Sequence, residues 1–247
     1  MMTLVDNDLV RITAARGNSD RITLCFTGVG HGYGGIDVQS EEFRKSAQQG
    51  SSIFVIDKMR SWGNNLDFAE IAEIARSFGR DRVVNAIGNS MGGFLAILAT
   101  KFIDINACVA FAPQFSVHKG VLPCEHRWDG YVDKIAHWKY RDLGDAFNPP
   151  CRYYVFGGVG GEDDPHLRLI PDGANIHKIY FANEKYRHEI AAALRGEKLL
   201  YGLISDSFAG RGAEEIVASR LSDPRHGAFV AKGRVALTTR DGVRSVA

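Results

Sequence analysis

Residues 82–101 constrain the fold more than any other part of the chain. A short β-branched stretch, 83–87, runs through Gly88-Asn89-Ser90-Met91-Gly92-Gly93 into an apolar run too long for a typical strand and free of breakers. Strand, sharp turn and helix therefore follow one another directly. A turn that tight strains its central residue, and small residues two before and two after it keep strand and helix from colliding. Gly88 and Gly92 supply the room. The Ser90 hydroxyl then stands clear of the sheet at the positive end of the helix, where the Met91 N–H can face a developing oxyanion. Ser90 is the candidate nucleophile. The competing reading is an ordinary glycine-rich strand-to-helix turn in which Ser90 only caps the helix.

The rest of the chain repeats the alternation. Residues 9–15 and 21–27 read as strands, and further strands are expected at 52–56, 106–111, 151–156 and 175–181. Helical stripes fall at 66–78, 94–102 and 189–194, with another at 213–221. Strands alternating with helices argue an α/β fold with a mostly parallel sheet covered on both faces. Residues 114–150, rich in aromatics and histidines, break the rhythm and read as a small helical cap inserted over the site. The 247 residues suit one domain, 1–247, with the cap at about 114–150 and a C-terminal extension at about 201–247.

Composition narrows the function by exclusion. A formal net charge of +1 gives no electrostatic reason to expect a nucleic-acid partner. Cys25, Cys108, Cys124 and Cys151 are widely spaced, with no Cys-x-x-Cys pair, and the first and second of them lie in apolar runs as buried small hydrophobes. His118, Cys124 and His126 match no common metal-site spacing, so no metal is expected. Residues 1–10 carry acids and no apolar core of a signal peptide, and no run of about 18 apolar residues could span a bilayer. A cytoplasmic protein is the plain expectation.

Two chemistries compete for the loop Gly28-Val29-Gly30-His31-Gly32-Tyr33-Gly34-Gly35, which leaves a buried strand. From Gly30 to Gly35 it satisfies Gly-x-Gly-x-x-Gly, and Asp57, ending the next strand, stands where a ribose-binding acid would in a dinucleotide fold. The fingerprint helix should open at its second glycine, however, and here the next helix start is expected only near Ser40. The alternative use is an oxyanion-binding loop. Val29, with Gly30 next, is then the residue whose backbone N–H faces the substrate.

A hydroxyl nucleophile needs a base and an acid that orients it. His188, after the 175–181 strand, is the best-placed histidine; the acid comes from Glu162-Asp163-Asp164, after the 151–156 strand. Asp164, directly before Pro165, is preferred, with Asp163 as the alternative acid. Loops at the carboxyl ends of parallel strands gather on one edge, so these residues can converge although far apart in sequence.

Gly88-Asn89-Ser90-Met91-Gly92, Thr27-Gly28-Val29, the acid cluster and His188 together resemble a serine α/β-hydrolase over about residues 20–200. The resemblance implies an eight-stranded, mostly parallel sheet and a cap before the acid-bearing strand. It makes Ser90 the nucleophile, His188 the base, Asp164 the acid, and the Val29 and Met91 amides the oxyanion hole, with no cofactor. Thr27 replaces the histidine of many relatives, the glycine run 157–161 is longer than usual, the first antiparallel strands look shortened, and the tail exceeds the family core. The implied activity is cleavage of an ester, before a thioester or amide, of a small-molecule or acylated substrate through an acyl-enzyme. An acyltransferase on the same fold, a dinucleotide-dependent oxidoreductase using the Gly30 to Gly35 loop, and a non-catalytic binding module are the alternatives.

Overall fold

The computed structural model describes residues 1–33, 36–79 and 82–232. The strands are β1 (Met2–Asp6), β2 (Val10–Ala15), β3 (Arg21–Phe26), β4 (His31–Tyr33), β5 (Ile36–Val38), β6 (Ser51–Asp57), β7 (Val83–Asn89), β8 (Ala107–Phe111), β9 (Arg152–Gly158), β10 (Ile176–Phe181) and β11 (Ala228–Val230). The α-helices are α1 (Phe68–Ser77), α2 (Met91–Ala99), α3 (Asp129–Val132), α4 (Asp164–Leu169), α5 (Ile190–Gly196), α6 (Leu200–Phe208) and α7 (Ala213–Arg220). Nine of the strands form one sheet in the order β1-β2-β6-β3-β7-β8-β9-β10-β11. From β6 to β10 every neighbour is parallel, while β1, β2 and β11 join antiparallel at the two edges.

The alternation of side chains along each strand divides the core in two. In β3, Ile22, Leu24 and Phe26 face α1 and α2, whereas Cys25 faces the other layer. Ala86 and Ile87 of β7 separate in the same way. Both faces of the central strands are apolar because both are covered. The all-round apolar α2 is buried along its whole length for the same reason.

Several sequence expectations need correction. The first antiparallel pair is not shortened: β1 and β2 form a hairpin that extends the sheet beyond β6. The sheet has nine strands rather than eight. Residues 114–150 are not a helical cap, since α3 is a single turn and turns and irregular segments make up the rest. Polar anchors hold this connection instead. Asn64 Oδ1 accepts the N–H groups of Lys139 and Tyr140 at 2.7 and 2.9 Å, and Ser116 Oγ donates to the Arg141 carbonyl at 2.6 Å. Glycines and prolines through this stretch favour such turns over a continuous helix.

The tail is part of the core up to residue 232. Leu203, Ile204, Phe208 and Ile216 of α6 and α7 pack with Phe111, Tyr154, Phe156 and Phe181 from the sheet. β11 then pairs with β10 and ends the sheet. Leu203 has no exposed surface, so Leu203→Ala is expected to lower unfolding stability by about 2–5 kcal/mol, measured by urea denaturation; a change within error would mean that α6 is dispensable.

Candidate active site

Ser90 sits where β7 breaks into α2, with φ 55° and ψ −121°. Its N–H donates to the Phe111 carbonyl at 2.9 Å and its carbonyl accepts the Phe94 N–H at 3.1 Å, so the strained residue is held on both sides. The flanking glycines are obligatory on steric grounds. A Cβ on Gly88 would lie 2.0 Å from the Gly92 carbonyl oxygen, and one on Gly92 would lie 2.2 Å from that of Phe26. Ser90 is buried, and its Oγ makes no hydrogen bond. It lines a cavity of about 540 Å³ that also receives Val29, Trp128 and His188.

His188 follows β10 and a turn of 3-10 helix, Glu184–Tyr186. Its Nδ1 lies 3.1 and 3.0 Å from the two carboxylate oxygens of Asp163. Gly158, the last residue of β9, permits this meeting: a Cβ there would stand 2.1 Å from the Tyr186 carbonyl oxygen. Glycine lets the two loops touch backbone to backbone.

The acid that meets His188 is therefore Asp163, the alternative, and not Asp164. Asp164 opens α4, and a side chain in the first turn leans back toward the helix N-terminus. There its Oδ1 accepts the Gly160 N–H at 2.9 Å and closes the glycine loop. Electrostatics separates the two neighbours. Burial pushes the Asp163 carboxyl up, but the His188 hydrogen bond and the Arg127 guanidinium outweigh it and hold it below the usual range. Burial dominates at Asp164 and raises it despite the Gly160 and Gly161 N–H groups. Glu162 is exposed and 4.0 Å from Arg127.

The loop after β3 is clamped. Gly28 gives its N–H to Glu42 Oε1 at 3.1 Å, and its carbonyl accepts Gln39 Nε2 at 2.9 Å. Arg60 Nε donates to the Val29 carbonyl at 3.2 Å. The Val29 N–H has no partner among the described residues. Met91 is the first residue of α2, so its N–H has no intrahelical carbonyl to serve.

Dinucleotide binding finds no support in the same region. β4 and β5 pair as an antiparallel hairpin where the fingerprint needs a helix start, and Gly34 and Gly35 lie outside the described residues. The next helical segment is a 3-10 stretch at Arg44–Gln49, not a helix capped by Ser40. Asp57 is buried, and its Oδ2 accepts Ser61 N–H, Ser61 Oγ–H and Gly63 N–H at 2.9, 2.9 and 3.2 Å. That carboxylate shapes its own loop. Among the described residues no group of three or more histidine, cysteine, aspartate or glutamate side chains is arranged to hold a metal. No described helix is long and apolar enough to cross a membrane.

Known proteins were compared at the levels of sequence and structure. No family model matches the sequence, and no curated protein matches it. Solved structures do. The capsule O-acetyltransferase of Neisseria meningitidis serogroup A, as a variant in complex with CoA, superposes with a TM-score of 0.57 at 13% identity, over 80% of this chain and 94% of that one. An α/β superfamily hydrolase from Oenococcus oeni PSU-1 gives 0.51 at 10% identity, over 85% and 100%. The chain has the α/β-hydrolase fold. The acylaminoacyl peptidase of Pyrococcus horikoshii also matches, with a TM-score of 0.56 at 13% identity over 87% of this chain and 43% of its own.

Sequence reasoning missed two charged residues in the α/β-hydrolase framework. Arg127, whose Nη1 donates to Asp163 Oδ1 at 2.8 Å, comes from the 114–150 connection and carries no motif. Glu42, which lines the cavity, was legible only as a helix-start acid. Burial raises its carboxyl to about 7; the neighbouring Glu189 adds to the shift, and the Gly28 N–H and Arg195 partly offset it. A carboxyl raised on folding stabilises the fold below its unfolded range, near 4.5, and loses that contribution as pH rises through the folded value. Relative to wild type, Glu42→Gln is thus expected to gain thermal stability between pH 5 and pH 8. Parallel melting curves for the two proteins would contradict the buried-carboxyl account.

Proposed function

We propose that the chain is an acyl-transferring serine enzyme that cleaves an ester through an acyl-enzyme on Ser90. The observation that carries this reading is the His188–Asp163 pair at the rim of the same cavity that receives a serine held in a strained turn. A serine hydroxyl attacks a carbonyl well only when a base takes its proton. His188 is that base: Asp163 holds the proton on Nδ1 and leaves Nε2 free to accept from Ser90 and, later, to protonate the leaving group. The ionised Asp163 stabilises the imidazolium formed in between. The Val29 and Met91 N–H groups bind the oxyanion of the tetrahedral intermediate. The Ser90 to His188 hydrogen bond is not made here; in enzymes without substrate such bonds are often long and tighten in the Michaelis complex.

A second reading, transfer of the acyl group to a hydroxyl rather than to water, has its own support. The Neisseria protein of the same fold is an O-acetyltransferase solved with CoA. In the present chain Lys45 and Arg195 line the cavity and make no ion pair among the described residues, which suits a phosphate-bearing donor. The acyl-enzyme step is common to both readings. A fluorophosphonate probe should label wild type, with labelling reduced about a thousandfold or more in Ser90→Ala and His188→Ala. Asp163→Asn should fall by roughly a hundredfold or more, and Asp164→Asn by no more than about threefold. Labelling that survives in Ser90→Ala would remove the basis of the reading. With acetyl-CoA, thiol release that rises with added polyol would favour transfer, and release indifferent to polyol would favour hydrolysis.

A further inference from the structure

Asp163 has two partners, and only one of them belongs to the proposed chemistry. The other is Arg127, brought over from the 114–150 connection and only 17% exposed at its side chain. Its fork is fully committed. Nη1 donates to Asp163 Oδ1 at 2.8 Å, Nε reaches both Glu125 oxygens at 3.1 Å, and Nη2 reaches Glu125 Oε2 at 2.5 Å. Glu125 is held in turn by His166 Nε2 at 2.7 Å. The His166 Nδ1 accepts the Phe115 N–H at 3.1 Å, so its proton sits on Nε2 and is given to Glu125. The row therefore reads His166, Glu125, Arg127, Asp163, His188, with carboxylate, guanidinium and carboxylate alternating.

We infer that Arg127 is a positioning residue for the acyl-transfer machinery: it fixes Asp163 against His188 from the overlying connection and takes up part of the Asp163 charge. This rests on the assignment of Ser90, His188 and Asp163 proposed above. A carboxylate bonded to a guanidinium stabilises a neighbouring imidazolium less than a free one does. Glu125 sets how strongly Arg127 acts, because it divides the same cation. The remaining charges around the pair are Glu162 and Asp164 on the acid loop, and Glu42, Glu189 and Arg195 around the cavity. None of these is hydrogen-bonded to Asp163 or His188. The charge row is the direct control.

The test is the second-order rate of fluorophosphonate inactivation followed from pH 5 to 9 in the full-length protein, with folding checked by thermal melts. Arg127→Gln keeps hydrogen-bond donors but removes the charge. Its acid limb should move up by about one pH unit, so that at pH 6 it reacts about tenfold more slowly than wild type. Arg127→Lys restores the charge and should return the limb to within a few tenths of a unit of wild type. Glu125→Gln frees the cation to act on Asp163 alone and should move the limb the opposite way, to lower pH. A purely structural role would lower melting temperatures without moving the limb in either direction, and that result would overturn the inference. If Arg127→Gln does not fold, the Glu125→Gln limb decides alone, with an unmoved limb counting against Arg127. Wild type that resists the probe, or Ser90→Ala that accepts it, would instead refute the assignment of the site itself.

Discussion

Two backbone contacts too close for any side chain hold the site together. Gly92 lies against the Phe26 carbonyl, and Gly158 lies against the Tyr186 carbonyl. The first locks the turn bearing Ser90 to the end of β3, where the Gly28 and Val29 loop begins. The second brings the loop after β9 against the loop after β10, and with it Asp163 against His188. A parallel sheet delivers these loops to one edge. Contact distance is set by the glycines, because no rotamer change can relieve a clash between backbone atoms in a close-packed interior.

Around this frame the protein buries charge, and the fate of each carboxyl follows from its partners. Burial pushes Glu125 up, but the His166 and Arg127 hydrogen bonds hold it far below its usual range. Asp163 behaves in the same way with His188 and Arg127. Glu42 has one backbone N–H and stands near 7. The desolvation penalty of a buried ion is repaid only when its lone pairs are satisfied. The row from His166 to His188 meets that condition, and its main effect is specificity of position: it joins an irregular connection to the loop that carries the acid. Helices were not needed to hold that connection in place.

The C-terminal segment changes meaning once the layers are visible. β8, β9 and β10 present Phe111, Tyr154, Phe156 and Phe181 on one face, and α5, α6 and α7 cover them. Without that cover a row of aromatic rings would meet water. Residues 200–232 complete the second layer of the core; they do not decorate it.

Local patterns in the chain were enough for the strand-turn-helix at Ser90, the alternation of strands and helices, and the choice of His188, because each depends on residues adjacent in sequence: a glycine two positions away, an apolar period, a loop after a strand. The first-choice acid was misread. Asp163 and Asp164 are chemically identical, and which one turns to the base depends on where α4 begins and on the Gly160 N–H that claims the other. The same limit applies to Arg127, Glu42 and the packing of α6, whose partners lie on distant segments. Short-range sterics and periodicity write the elements into the amino-acid order, whereas pairing between buried charges and cover for a sheet face arise only when remote segments share one space.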